Sequence, residues 1–188
     1  MGTLTFISGL HLIQFRHWSL RWLHFGLGLT GCVLIATDFL FWLESRRKRY
    51  EQLRLKGVGF VEGMTIGSVS GIVIATFVFF VVNRLLPLNV TFLGQERSAL
   101  EIWTFYLGWL AAFAHAWLRP ARAWIEQCSM IAMLAVAAML LNWLTTGDHL
   151  ARSLAHRHLW PIAGMDVLLL LAAVISVAIV RLWRGKTS

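Results

Sequence analysis

MTIGSVSGIVIATFVFFVVNRLL, from Met64 to Leu86, runs for twenty-three residues and meets no charge until Arg84. Each residue of an α-helix adds about 1.5 Å, so about 20 mostly apolar residues cross the hydrocarbon core of a bilayer. The stretch therefore reads as a membrane-spanning helix. Four further runs meet the same length, at 20–43, 99–118, 123–144 and 160–183. Together they predict an all-α membrane protein, a single transmembrane domain over 1–188 built as a bundle of five helices. The shortest connection, Arg119 to Arg122, predicts that the third and fourth helices are antiparallel neighbours.

Composition agrees. The chain is 58% hydrophobic and 13% aromatic, with a mean hydropathy of +0.68, more apolar surface than a soluble core of this size conceals. Seventeen Lys and Arg against nine Asp and Glu give a formal charge of +8. On a soluble protein that excess would point to nucleic acid. Here it is read as a topology signal facing anionic lipid, with the bilayer as partner and no nucleic acid. Eleven of the cations fall after the first run, in the third-to-fourth turn and in the tail; the other six fall on the opposite side. The larger set is cytoplasmic by the positive-inside rule, so the N-terminus is expected outside and the C-terminus inside. Nothing in Met1 to Leu20 resembles a cleavable signal, and Cys32 and Cys128 read as small apolar packing residues.

Two local patterns stand out. Gly63, Gly67 and Gly71 form a doubled small-xxx-small row, read as tight packing within the bundle or as a dimer contact. Gly26, Gly28 and Gly31 cluster similarly in the first helix. Between Asp148 and Leu159 the alternation of Leu150 and Leu154 with Arg152 and His156 predicts a short amphipathic helix on the membrane face, the leucines inward.

Ionisable groups inside a spanning segment cost about 2.5 to 3.5 kcal/mol each on insertion scales, so they face the interior and pair. Depth counting places His24, Asn142 and Asp166 in an outer layer, near His11 and His149, and Asp38 with His115 in an inner one. Imidazoles at matched depth in a helical bundle are a way to hold a b-type haem, with His11, His24 and His149 as outer candidates for the iron and His115 as an inner one. The alternative is structural. An interfacial histidine needs no ligand role, and Asp38 could hydrogen-bond His115 and fix its tautomer. Asp38, Asn142 and Asp166 then serve as structural polar groups. No catalytic residue can be named, and no nucleotide loop, zinc-protease motif or nucleophile elbow is present in the sequence.

GLTGCVLIATDFLFWLESRRKR, from Gly28 to Arg49, resembles the last helix and basic exit of PepSY-associated transmembrane proteins, the iron-regulated membrane proteins of Gram-negative bacteria. VEGMTIGSVSGIVIATFVFFVVNRLLP, AFAHAWLRPARAW and LLNWLTTGDHL are similar to the extra helices of that family's longer members. The resemblance implies a multi-pass protein of the bacterial inner membrane in iron acquisition. It also implies haem b, transmembrane electron transfer and a ferric siderophore as acceptor, the chain being a component of a ferric-siderophore reductase. Leu10-His11 is similar to the family's Leu-His before the same helix, which makes His11 a haem-ligand candidate by resemblance. Asp38 stands where the family's Ala-Thr-Gly pattern has Gly. The family's N-terminal helices and periplasmic regions have no counterpart here, so a truncated or split member is expected, with a separate membrane subunit supplying those helices. Its competitor is a non-catalytic membrane subunit or scaffold that packs against a partner through its glycine rows. A small transporter lacks support from any internal repeat.

Overall fold

The computed structural model describes residues 18–52, 58–147, 150–156 and 159–185. Its elements in chain order are α1 (Trp18–Gln52), α2 (Val58–Leu85), β1 (Thr91–Phe92), β2 (Gln95–Glu96), α3 (Arg97–Leu118), α4 (Pro120–Thr146), α5 (Leu150–Ala155) and α6 (Trp160–Arg184). Among the described residues the fold is all-α apart from one two-stranded hairpin. Four helical segments among them are long and apolar enough to cross a membrane: Ser19–Arg46, Gly59–Leu85, Pro120–Thr146 and Trp160–Arg184. α3 does not reach that measure, unlike the other four runs picked out from the sequence. Arg97, Glu101 and His115 lower its hydropathy, and so do its Trp and Tyr residues.

The chain divides into two compact units, Met1–Arg54 and Leu55–Ser188. Among its described residues the first contains the helix α1. Thr30 and Thr37 lie within it and return their hydroxyls to the carbonyls of Gly26 and Val33, which hides two polar side chains against the helix backbone.

The second unit is a helical bundle. α2 packs against both α3 and α4, and α4 packs in turn against α6, so the helices follow one another as α3, α2, α4, α6. The two helices joined by the shortest turn, α3 and α4, meet over a smaller area than either shares with α2. A short connection fixes direction, but closeness is decided by which faces fit, and α2 offers glycines to α3 and Ser70, Ile74 and Phe77 to α4 and α6.

On its α3 face the glycine row operates. A methyl group on Gly63 would run into the Trp117 ring and one on Gly67 into Phe113, while Gly71 faces Ala112 and Trp109. Steps of four on α2 thus meet steps of four on α3 in antiparallel order. On the other face Ile74 and Phe77 join Ile131, Ala135 and Ala138 of α4 and Leu169 and Ala173 of α6. The buried residues of α4 and α6 repeat every three or four positions, a narrow stripe in each case. Outward, Leu107, Leu110, Leu140, Leu144, Leu171 and Val174 are exposed, an exterior that suits lipid.

The connections have local causes. Leu93 and Gly94 both have positive φ, 51° and 75°, which a two-residue loop between right-twisted strands requires. Pro120 opens α4, where its missing N–H costs no helical bond, and Gly147 ends it in the left-handed conformation at φ 73°, its N–H on the Trp143 carbonyl at 2.8 Å. The short helix expected after α4 exists as α5 and packs on α6. Ser153 is buried, while Leu154 is 55% exposed, as are Arg152 and His156.

A methyl group at Gly67 must displace the Phe113 ring, whereas Gly59 has open space around it. Gly67→Ala is expected to lower stability by about 1–3 kcal/mol. Gly59→Ala should be neutral or raise it by up to about 1 kcal/mol through helix propensity. Thermal unfolding of the two variants in one detergent checks this, and equal stability would remove the glycine row from the packing account.

Candidate functional site

Two polar clusters lie at opposite ends of the bundle. The first forms around the α3–α4 turn. Arg119 caps α3, its N–H on the His115 carbonyl at 3.0 Å, and the chain reverses at once into α4. Reversal places His115, one turn before the end of α3, opposite Glu126. His115 Nε2 lies 2.7 Å from Glu126 Oε2, and Arg119 reaches Glu126 Oε1 at 3.0 Å. Gln127, 2% exposed, donates from Nε2 to the Ala112 carbonyl at 2.8 Å and faces His115 Nδ1 at 3.4 Å. Ser70 on α2 holds the other end of that amide, its hydroxyl directed to Gln127 Oε1.

These contacts assign the imidazole tautomer. An amide N–H₂ is a donor only, so Nδ1 of His115 accepts and Nε2 carries the proton that goes to Glu126. Each strongly polar group here has a partner: hydroxyl to amide, amide to imidazole, imidazole to carboxylate, guanidinium to the same carboxylate. An apolar cavity of about 360 Å³, lined by Ile74, Val78, Met130 and Leu134, adjoins the network.

The second cluster lies at the other end of α2. Arg84, one residue from the helix end, donates to Asn142 Oδ1 at 2.8 Å. Its neighbour Asn83 donates to Glu101 Oε1 at 2.9 Å, and Arg97 donates to the same oxygen at 2.7 Å. Asp166, on the second turn of α6, is 5% exposed. Arg84, Asn142 and Asp166 line one cavity of about 410 Å³ whose walls include Phe79, Phe80 and Leu169. Among the described residues nothing donates a hydrogen bond to the Asp166 carboxylate, and Arg84 does not close onto it as a contact ion pair.

The residues singled out from sequence fall as follows. Asn142 and Asp166, placed in one layer by depth counting, do share a cavity. His115 meets Glu126, not singled out from the sequence, as its carboxylate, while Asp38 belongs to the other unit. His24 lies on α1. His11 and His149 are outside the described residues. Arg84 enters the sequence reading only as one of the six cations on the outer side, and Gln127 and Glu101 do not enter it.

His115 has one ring nitrogen on Glu126 and the other toward Gln127, so neither is turned toward an iron. His156, the other described imidazole of this unit, follows α5 beyond the far end of α4, with Nδ1 at 3.0 Å from the Arg152 carbonyl. The two stand a helix length apart, and the described part of the bundle offers no pair of ligands at one depth. Among the described residues no group of three or more His, Cys, Asp or Glu is placed to hold a metal ion.

No family model, curated protein or solved structure matches the chain.

Gln127 is the residue on which the inner network turns. Gln127→Leu keeps its volume but removes a donor to His115 and an acceptor for Ser70, and is expected to cost about 1–3 kcal/mol. Equilibrium unfolding in detergent measures it, and an unchanged midpoint would show that the network contributes nothing net.

Proposed function

We propose that this chain is a five-span protein of the bacterial inner membrane, N-terminus outside and C-terminus in the cytoplasm, which acts as a non-catalytic membrane subunit or scaffold. The observation that carries the scaffold reading is the way the bundle has committed His115: both ring nitrogens serve the fold. An imidazole used for chemistry needs a nitrogen free to bind or to carry protons.

The fifth span is supported by packing. α3 has 22 residues, about 33 Å of helix. It lies along α2 from the Gly63–Trp117 contact at one end to the Asn83–Glu101 hydrogen bond at the other. A helix that runs beside α2 over that length supports a fifth crossing, and its modest hydropathy comes from Arg97 and Glu101 at one end and from its Trp and Tyr side chains. Orientation is supported by the imbalance of cations between the two sides.

The resemblance to PepSY-associated transmembrane proteins favours a second reading, in which the protein takes part in iron acquisition and passes electrons through haem b to a ferric siderophore. In that case His11, His24 and His149 are the residues to hold the iron, and a separate membrane subunit would complete the path. Haem would supply one-electron transfer; the chain would supply imidazoles and an apolar surround.

The two readings separate on one preparation. Under the scaffold reading the purified protein, offered haem, shows no b-type absorption on reduction. A b-type spectrum that His11→Ala, His24→Ala or His149→Ala abolishes would replace it with the redox reading. Reporter fusions after Lys56 and Lys186 should read cytoplasmic and one after Gly94 periplasmic; a periplasmic signal at Lys186 would overturn the five-span topology.

A further inference from the structure

Asp166 poses a problem that the fold does not solve by itself. A carboxylate 5% exposed on an apolar helix is expensive to keep unless something donates to it. Yet no described group does. Across the same cavity Arg84 has one hydrogen bond, to Asn142, out of the five donors a guanidinium carries. The cavity thus holds an acceptor and a set of donors of opposite charge that do not satisfy each other.

We propose that this cavity recognises an ammonium–phosphate zwitterion, the ammonium on Asp166 and the phosphate on Arg84. The sign pattern selects it. A simple anion would gain Arg84 but meet Asp166, and a simple cation would meet the reverse. A zwitterion with its charges a few ångströms apart satisfies both, and guanidinium to phosphate is among the stronger charge-assisted pairs. The amide of Asn142 already holds one N–H of the guanidinium, which reduces the side-chain freedom lost on binding.

Depth and walls point to the source. Arg84 stands at the end of α2, where a spanning helix reaches headgroup level. Phe79, Phe80 and Leu169 continue from the charged end into the bundle, a surface fit for hydrocarbon. A volume of about 410 Å³ lies within the range of small-ligand sites of about 300–1,000 Å³ and would take a headgroup with the start of an acyl chain. The same charge chemistry is carried by a phosphatidylethanolamine and by soluble glycerophosphoethanolamine. This inference rests on membrane embedding of the bundle, not on the scaffold reading, and haem spectra leave it untouched.

The test uses the full chain, purified in detergent and stripped of lipid. Thermal unfolding is followed with added dioleoylphosphatidylethanolamine, dioleoylphosphatidylglycerol, which lacks the ammonium, and glycerophosphoethanolamine, which lacks the chains. Phosphatidylethanolamine is expected to raise the midpoint at concentrations at least about tenfold lower than phosphatidylglycerol does. Asp166→Asn and Arg84→Gln should each remove that preference while retaining helical content. Glycerophosphoethanolamine acting at the same concentration would support the zwitterion site with a soluble source; its failure beside a positive lipid result supports the lipid. Equal response to both lipids, or a preference that survives in both variants, overturns the proposal. Should a variant fail to fold, competition between the two lipids on the wild-type chain, read by native mass spectrometry, decides: equal retention overturns it and selective retention of phosphatidylethanolamine supports it.

Discussion

The three glycines on α2 and the three aromatic rings on α3 set the spacing from which the rest of the bundle follows. Inside a membrane there is no hydrophobic drive between helices, because lipid is as apolar as leucine, so association depends on how many atoms come into contact. Removing the side chains at Gly63, Gly67 and Gly71 opens a trough along α2, and Trp117, Phe113 and Trp109 fill it. The rings also touch one another, Trp109 to Phe113 at 5.6 Å and Phe113 to Trp117 at 5.7 Å, so the filling is a continuous stack on one face of α3. Two indole N–H groups that the seam would otherwise bury reach backbone carbonyls: Trp109 donates to Gly67 at 3.1 Å and Trp117 to Phe60 at 3.3 Å. A glycine carbonyl is reachable from the side because no Cβ shields it. The seam therefore supplies contact area and satisfies its own polar atoms.

Register then propagates to both ends. With Gly63 against Trp117, the first turns of α2 lie beside the last turns of α3, and Ser70 comes within reach of Gln127 where α4 returns from the turn. At the far end the same alignment sets Asn83 beside Glu101, with Arg97 closing onto both the Glu101 carboxylate and the Asn83 carbonyl. A slip of one helical turn would take Asn83 from Glu101 and Ser70 from Gln127, costing on the order of 1 kcal/mol or more for each lost hydrogen bond. The polar layers therefore act as locks on a register that the glycine trough first makes attractive.

Much of this could be read from the residues. The spacing of Gly63, Gly67 and Gly71 announces a close approach, the apolar runs announce the long helices, and depth counting brings Asn142 and Asp166 together without a structure. Glu126 escaped notice because it sits inside an apolar run, though a mirror drawn through the Arg119–Arg122 turn carries His115 onto it: in an antiparallel pair, residues equidistant from the turn face each other. Arg84 escaped because a cation near a helix end was counted for topology and not asked what it touches. The helix order was hidden for a different reason. Loop length says which helices run antiparallel, but that α2 lies between α3 and α4 depends on α2 having two usable faces, glycine on one and Ser70, Ile74 and Phe77 on the other, and only their joint geometry settles which neighbour takes which.

The two ends of the bundle differ in how completely their polar groups are matched, and the difference separates structure from recognition. At the α3–α4 turn donors and acceptors form one connected set, from Ser70 through Gln127 and His115 to Glu126 and Arg119. A network whose members are matched to one another rigidifies what it joins. At the α2–α4–α6 end Glu101 is matched twice over, so this region does not lack donors. Asp166 has no donor among the described residues and faces a cavity, although Arg84, with donors to spare, lines the same cavity and is held on Asn142. A bundle under pressure only to be stable could replace Asp166 with leucine or draw Arg84 onto it; either would remove the cost. Keeping the charges apart across a space lined by Phe79 and Phe80 has a physical rationale if the space is to be filled by something that carries both signs.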